Sequence, residues 1–314
     1  MEAGTQAVGA APRGGPLGAK RRLWGEEVIR ALLFAAAVLS VLTTFGILFA
    51  LLRETVQFFD EVGVVSFFTD GDWKPLFADP QYGIWPLLNG TFLITGVAIL
   101  VAIPLGLGSA IYLSEYATPR VRRTVKPILE VLVGVPTVIF GYFALTFITP
   151  EILQALFNLK IQVFNALSAG LIMGIMIVPT VASISEDAMS AVPQSLREGA
   201  FGLGANKMQV ATRVVFPAAL SGIVAAIVLG VSRGVGETMI VLIAGGQVPN
   251  VGLNVTEPFE TITAFIGATA KGDNPAGTIG YYSIFAAGMT LFVLTLIMNS
   301  IAIRFVRKYR QVYD

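Results

Sequence analysis

The amino-acid sequence predicts an all-α membrane protein with six transmembrane helices, and three observations support this fold class. Apolar residues make up 55% of the 314 residues, and charged residues only 13%. A soluble globular chain carries about 25% charged residues, so this composition cannot cover a surface that faces water. We also interpret six charge-free runs of 19 to 35 residues as candidate spans. A membrane-spanning helix needs about 20 predominantly apolar residues, so each run predicts one span.

The six spans follow one another along the chain with short polar connections. The first run is too long and too far from the N-terminus for an ordinary cleaved signal peptide. The fourth run ends at Glu186 and Asp187, which we interpret as acids that order the following loop. After the fifth run come Arg233 and Glu237, and then the apolar pattern resumes. The runs are residues 31–52, 80–114, 131–150, 161–185, 214–232 and 274–303.

The distribution of Lys and Arg predicts the orientation of these spans. Sixteen of the 21 basic residues lie near the termini or in the loops after the second and fourth spans, and four lie on the opposite side. Because cytoplasmic segments carry the excess of positive charge, both termini are predicted to be cytoplasmic. Residues 1–25, rich in Gly, Ala and Pro, predict a disordered cytoplasmic tail. Residues 26–314 are predicted to form one transmembrane domain.

Composition and motifs also exclude several kinds of chemistry. The chain has no Cys and no His, which removes thiol nucleophiles, Ser-His-Asp arrangements and most transition-metal sites. None of its lysines is followed by Ser or Thr, so it carries no nucleotide-binding P-loop. A net charge of +1 gives no reason to expect nucleic-acid binding. We therefore expect no covalent catalysis, no metal and no cofactor in this chain.

A moderately polar, helix-prone segment, residues 191–217, lies between the fourth and fifth spans on the predicted cytoplasmic side. Residues 198–207 predict one or two short helical turns. Gly204 permits a sharp change of direction, because glycine adopts left-handed backbone conformations at little cost. Pro217 stands at the start of the next apolar run, a position where proline favours helix initiation. Two side chains are expected to project as apolar knobs, Leu203 and Met208.

This segment resembles the "EAA" loop of ABC importer permeases, in which Glu-Ala-Ala is followed after three residues by Gly and after nine more by Ile-x-Leu-Pro. The chain has Glu-Gly-Ala at 198–200, then Gly204, then Val-Val-Phe-Pro at 214–217, and every spacing matches. Its three departures are exchanges among small or apolar residues. In that family the loop forms a coupling helix that docks in a cleft of the ATPase subunit. The coupling residues implied by the resemblance are Glu198, Gly199, Ala200, Leu203, Gly204, Lys207 and Pro217.

The resemblance extends over roughly residues 28–305. Tyr-Gly-Ile-Trp-Pro at 82–86, Gly-Val-Pro-Thr at 134–137 and Ser-Arg-Gly-Val-Gly-Glu-Thr at 232–238 resemble the permease subunits of phosphate ABC importers, the Pst systems. The longer first outer loop, with Trp-Lys-Pro at 73–75, resembles the C-type subunit more than its A-type sister. This resemblance implies the type I importer permease fold in a bacterial inner membrane. It also implies four kinds of partner: an A-type second permease subunit, two ATPase subunits, an extracytoplasmic phosphate-binding protein, and phosphate itself.

Other functions stay open at this point. The nearest are the A-type sister subunit and permeases for phosphonate, sulfate or molybdate. A secondary anion transporter would need an ion or proton site, for which few residues remain, and it has no use for a coupling loop. A scaffold or sensor subunit that transports nothing would not need charges deep in a span.

Two charged residues, Arg233 and Glu237, lie in or near the fifth span. Arg233 is 16 residues past Pro217, about 24 Å along a helix, where a charge needs a partner or water. Glu237 is four residues further and would share the same face of a continuous helix. The pair could lie on an anion's path, since a guanidinium fork suits phosphate oxygens, or could lock helix packing. The resemblance favours the pathway, and the predicted pathway residues are Arg233, Glu237 and Thr238.

Overall fold

The computed structural model describes residues 24–272 and 274–309. The predicted tail, residues 1–25, lies outside this range except for its last two residues, with which the first helix begins. The described chain is helical apart from one antiparallel pair of strands, β1 (Trp73–Lys74) and β2 (Gln81–Tyr82). The α-helices are α1 (Trp24–Glu61), α2 (Val64–Thr69), α3 (Trp85–Ile111), α4 (Pro119–Val133), α5 (Thr137–Phe143), α6 (Ala166–Ser190), α7 (Gln194–Gly202), α8 (Lys207–Val210), α9 (Phe216–Ala218), α10 (Leu220–Val235), α11 (Ile262–Thr269) and α12 (Ile279–Tyr309).

Four π-helical segments continue or join these helices. In a π-helix each backbone hydrogen bond joins residues five apart instead of four, and such segments often occur at functional sites. The first two belong to the second and third spans. The third lies at the start of the fifth span, and the fourth follows its end. They are Tyr112–Tyr116, Ala144–Leu156, Ala211–Val215 and Val241–Gly245.

The six predicted membrane spans correspond to helices, although the third, predicted over residues 131–150, crosses a break at residues 134–136, and its helical span is Thr137–Leu156. Five continuous stretches are long and apolar enough to cross a membrane, and a bent pair supplies the sixth. In that pair, Lys207–Ala218 and Leu220–Val235 meet at an angle of 74°. The fifth span is therefore bent at its start, which the charge-free run did not predict. The five continuous stretches are Gly25–Glu61, Trp85–Tyr116, Thr137–Leu156, Ala166–Ser190 and Ile279–Arg304.

The chain divides into two compact units, one ending at Ala50 and one beginning at Leu51. The described part of the first unit is the N-terminal part of α1. Its large apolar side chains are exposed, for example Phe34 and Phe49 at 71% and 70%. A helix that is apolar all round and exposed is suited to a lipid environment.

The second unit has its core where α3 packs against α6. Gly170 and Gly174 of α6 allow this close approach. A Cβ atom at Gly170 would come within 2.6 Å of Val97, and one at Gly174 within 2.7 Å of the Ala98 carbonyl oxygen. Small residues at such contacts let two membrane helices pack backbone to backbone.

An ion-pair cluster fixes α4 to the C-terminal end of α6. Glu186 is 1% exposed and pairs with Arg122 and with Lys126, whose Nζ lies 2.9 Å from its Oε2. Lys126 also pairs with Asp187. A buried carboxylate is stable only when it is paired and hydrogen-bonded, and here Ser190 also donates to Glu186 at 2.8 Å. Glu186 and Asp187 therefore join α6 to α4, whereas they were interpreted from the sequence as acids that order the following loop.

Candidate functional site

The helix of the fifth span ends before Glu237, so the expectation that Arg233 and Glu237 share one helix face is wrong. α10 ends at Val235, with Gly236 as its C-cap, and Glu237 lies in the following turn. Glycines at 234 and 236 weaken the helix at this point. Across the residues that the structure describes, no ion pair joins Arg233 to Glu237.

Glu237 instead holds the start of the next short helical stretch, residues 239–245. Its Oε1 accepts hydrogen bonds from the backbone amides of Met239 and Ile240 at 3.0 and 3.2 Å. Its own carbonyl accepts from the Thr263 hydroxyl at 2.6 Å, which ties this turn to α11. Glu237 is only 8% exposed, so these bonds compensate a carboxylate that is removed from water. Through these hydrogen bonds, Glu237 fixes the conformation of the turn that follows α10.

The side chain of Arg233 is directed towards α6 rather than towards Glu237. It is half-buried, and its Nη1 donates to the Thr180 hydroxyl of α6 at 3.1 Å. A neutral hydroxyl satisfies one N–H of the guanidinium and brings no negative charge to it. Thr180 lines a groove of about 240 Å³ between α4 and α6, together with Ser183 and Glu130. Arg233 itself does not line this largely apolar groove, and the cationic fork that it holds beside Thr180 is a group that can bind an oxyanion.

Thr238, the third predicted pathway residue, is half-buried. Its hydroxyl donates to the Gly236 carbonyl at 3.4 Å, within the turn that ends α10. Sequence reasoning missed Thr180, because a threonine in a membrane helix usually bonds to the preceding turn of its own helix. Only the packing of α6 against α10 shows that Thr180 faces Arg233.

The predicted coupling loop forms two short helices, α7 and α8, that meet at Gly204. Gly204 has φ of +86°, the left-handed conformation expected for a sharp change of direction. Asn206 caps α8 by accepting from the Gln209 amide at 2.9 Å, and the Gln209 side chain accepts from the Asn206 amide. This capping box fixes where the second helix of the loop begins.

The surface of this loop that faces away from the helical bundle is exposed and partly apolar. The knobs predicted at Leu203 and Met208 are 91% and 60% exposed. Glu198 and Gly199 are exposed as well, and Ala200 is half-buried. Two large apolar side chains thus project from a loop that is otherwise moderately polar.

The rear of the loop is anchored to the helical bundle. Arg197 pairs with Glu115 at 3.0 Å, and the two side chains are 11% and 9% exposed. Arg197 also donates to the Met189 carbonyl at the end of α6. Lys207 lies over the Tyr116 ring, 5.6 Å from its centroid. Sequence reasoning missed Arg197 and Glu115, since they lie 82 residues apart and only the fold pairs them.

Pro217, the last predicted coupling residue, lies in the first turn of α9 and is exposed. The membrane-spanning helix α10 begins three residues later, after the 74° bend. Within the described ranges, no group of three or more acidic side chains is placed to hold a metal ion.

Comparison with known proteins identifies the class. Residues 102–311 match the model of the family described as binding-protein-dependent transport system inner membrane component. The chain belongs to this family, and it is therefore a multi-pass inner membrane protein and a non-catalytic subunit of an ABC transporter.

Individual relatives agree with this assignment. The probable ABC transporter permease protein YqgH of Bacillus subtilis is 32% identical over 288 residues, which cover 90% of this chain and 91% of that protein. The phosphate transport system permease protein PstC of Mesorhizobium japonicum is 31% identical, with 88% of each chain covered. PstC of Haemophilus influenzae is 31% identical, with 92% and 95% covered.

Solved structures show the same fold. A subunit of a bacterial alginate ABC transporter, solved with an alginate pentasaccharide-bound periplasmic protein, superposes with a TM-score of 0.64 at 17% identity. The match covers 94% of this chain and all of that chain. An inward-facing MetNI methionine ABC transporter gives a TM-score of 0.53 at 20% identity, covering 73% and 95%. The predicted importer permease fold is therefore confirmed.

Proposed function

We propose that this chain is the C-type permease subunit of an ATP-driven importer of inorganic phosphate, and that it forms one half of the translocation pore. Relatives named as phosphate permeases, about 31% identical over most of the chain, support phosphate as the substrate. The other half of the pore would be an A-type permease subunit. Both termini would face the cytoplasm of a bacterial cell.

The observation that supports the pathway role most strongly is the environment of Arg233. In a span, an unpaired cation costs about 2.5–3.5 kcal/mol on insertion scales, so a purely structural arginine is expected to face a carboxylate. Arg233 faces the Thr180 hydroxyl instead. A phosphate ion would supply the missing negative charge and two oxygens that match the guanidinium fork. Arg233 would then bind the anion transiently, while Glu237 and Thr238 would shape the turn beside it.

The loop of residues 191–217 would couple the pore to two ATPase subunits. Leu203 and Met208 would enter a cleft of the ATPase, with Glu198, Gly199 and Ala200 at the base of the contact. Gly204 would set the angle between α7 and α8, and Lys207 would hold α8 on the bundle. The bend beyond Pro217 would transmit movement of the loop to α10.

The substrate assignment is tested by uptake. The complete complex would be reconstituted in liposomes with its ATPase subunits and its binding protein, and uptake of radiolabelled phosphate would be measured with competing anions. We expect ATP-dependent phosphate uptake that tenfold excesses of sulfate, molybdate and phosphonate leave unchanged. Uptake of one of those anions in place of phosphate would contradict the proposal.

A further inference from the structure

A cavity of about 550 Å³ opens at the end of the second unit away from the coupling loop. Helix α3 runs between the two sites. Its start lies beside the cavity, and its π-helical extension ends at Tyr116, which contacts Lys207 of the coupling loop. We call it the outer cavity. It is lined by residues 73–77, by residues 247–249, by Glu260 and by the C-terminal half of α11 with the turn after it.

Glu260 brings a buried carboxyl group to this cavity. The residue is 6% exposed, and in the described part of the chain its side chain has no hydrogen bond and no ion pair. Burial raises the pKa of the Glu260 carboxyl to about 7. Its backbone is held firmly: the amide donates to Val248 at 2.9 Å, and the carbonyl oxygen would lie 2.2 Å from a Cβ atom at Gly90. The backbone that carries this carboxyl group is thus held in place, while the carboxyl group itself has no partner among the described residues.

An aromatic side chain, that of Trp73, forms one wall of the same cavity. Trp73 is 1% exposed, and its indole Nε1 has no hydrogen-bond partner among the described residues. Its ring is packed edge-to-face on Phe265, with ring centroids 5.0 Å apart. The ring therefore forms a fixed aromatic wall of the cavity, and its buried Nε1 is not accessible from the cavity.

The charges around the cavity define the chemistry of an occupant. The other charged lining residue is Lys74, which is paired with Asp72 at 3.2 Å. When it is ionised, Glu260 therefore leaves one negative charge that a cation can meet. Aromatic walls at Trp73, Phe77 and Phe265 suit the alkyl stem of a long basic side chain and the charge at its end.

We propose that the outer cavity receives a Lys or Arg side chain of the extracytoplasmic binding protein, whose charged group pairs with Glu260. Docking would also cover the exposed apolar rim, where Phe77 and Leu76 are 71% and 55% exposed. This inference rests on the orientation in the proposed function, but not on phosphate as the substrate.

The test measures the affinity of the binding protein for the complete complex in lipid nanodiscs. Glu260→Gln keeps the shape of the side chain and removes the charge, and we expect Kd to rise at least tenfold. The control Asp79→Asn removes the same charge from an exposed position outside the cavity, and it should bind as the wild type does.

A second pair of variants tests the cavity itself. Ala268→Lys places an ammonium group in the lining, where it would occupy the cavity and neutralise Glu260, so docking should weaken about as much. Ala270→Lys adds the same charge at an exposed position just beyond α11 and outside the lining, and docking should persist. The content of partner subunits is measured for every variant, so a failure to assemble is separated from a failure to dock.

The pH dependence gives a third readout. Pairing with a cation favours the ionised carboxylate, so docking releases a proton and strengthens as pH rises through the pKa of about 7. The ionised fraction of Glu260 rises about tenfold between pH 6 and pH 8, and the wild-type affinity should rise by a similar factor. Glu260→Gln, which retains Lys74 and Asp72, should lose this rise.

The inference would be overturned if the assembled Glu260→Gln complex bound the binding protein with wild-type affinity at both pH values. It would also be overturned if the Ala268→Lys complex docked the binding protein as well as the wild type does. If docking follows the expected pattern but the wild-type complex fails to import phosphate, the substrate assignment fails and the docking site stands.

Discussion

The two ends of the fifth span differ in exposure and in hydrogen bonding. At its start, Leu203 and Met208 project with exposures of 91% and 60%, and the chain bends by 74° before α10 begins. At its end, Glu237 is 8% exposed and its carboxylate accepts from two backbone amides. One end is built from exposed surface and short helices, and the other from buried and satisfied polar groups.

This difference indicates how one helix can serve two purposes. Short exposed helices with few buried contacts open and shift at low free-energy cost, whereas buried hydrogen-bonded turns stay in place. The start of the span is therefore suited to receive movement from a partner. Its end is suited to hold Arg233 and the turn after it at a fixed position beside α6.

The largest expected effect concerns Arg233. Arg233→Gln removes the positive charge and leaves Glu237 on its backbone amides, so the complex should assemble while phosphate uptake falls at least about tenfold, which corresponds to about 1.4 kcal/mol. Uptake into proteoliposomes and the subunit content of the purified complex check this expectation. Arg233→Lys should recover part of the uptake, because an ammonium group keeps the charge and loses the fork.

Thr180→Val provides the matched comparison for Arg233. It removes the hydroxyl that orients the guanidinium and keeps the charge and the side-chain shape. We expect a change of about two- to fivefold, on the scale of one hydrogen bond of about 1 kcal/mol. A loss of uptake in Thr180→Val as large as in Arg233→Gln would mean that orientation matters as much as charge.

The next effect concerns Glu237 and is one of stability. Glu237→Ala leaves the amides of Met239 and Ile240 without their acceptor, at a cost of about 2 kcal/mol. Thermal unfolding of the purified complex should shift to lower temperature. Glu237→Gln keeps a carbonyl acceptor and should retain most of the stability. Equal destabilisation by both substitutions would show that the negative charge, rather than the cap, is what the turn requires.

A smaller effect is expected at the loop between α7 and α8. Gly204→Ala forces a Cβ atom into a left-handed conformation that costs about 1–2 kcal/mol, although there is open space around it. The stimulation of ATP hydrolysis by the loaded binding protein should fall about fivefold or more. Gly202→Ala, equally unobstructed but in an ordinary helical conformation, should leave the stimulation unchanged. Similar losses in both variants would contradict a special role for the turn.

The smallest effect concerns Lys207. Lys207→Gln removes the cation from the face of the Tyr116 ring, an interaction worth about 0.5–1 kcal/mol at an exposed site. We expect a decrease of about two- to fivefold in stimulated ATP hydrolysis. Lys271→Gln, a change of the same charge in a segment away from the loop, should have no effect on it.

The sequence predicted the spans because lipid demands long apolar runs and permits few charges within them. The helices extend past those runs: α1 covers residues 24–61, whereas its charge-free run covers 31–52. Charged residues end the apolar core but not the helix, so hydropathy defines a span better than it defines helix bounds. Gly204 was equally predictable, since a single residue type decides a left-handed turn.

The arrangement around Arg233 was not predictable in the same way. The four-residue spacing to Glu237 implied a shared face only if the helix continued, and it ends at Val235. Whether glycines 234 and 236 end a helix or merely narrow it depends on the acceptors that surround the turn. Those acceptors include the Glu237 carboxylate itself, which bonds to amides further along the chain.

The outer cavity could not be predicted from the sequence for another reason. Trp73 and Glu260 lie 187 positions apart, and neither belongs to a motif that signals a partnership. Only the packing of the first outer loop against α11 brings them to one cavity. Long-range juxtapositions of single polar residues leave no periodic signal in a sequence.

The most direct test of the division of labour within the fifth span is the number of phosphate ions imported per ATP hydrolysed, measured in the same proteoliposomes. We predict that Arg233→Gln keeps ATP hydrolysis stimulated by the loaded binding protein but imports little phosphate, so that this ratio collapses. Gly204→Ala should lose stimulation and uptake together, so that its ratio stays near that of the wild type. A wild-type ratio with undiminished uptake in Arg233→Gln would contradict the account.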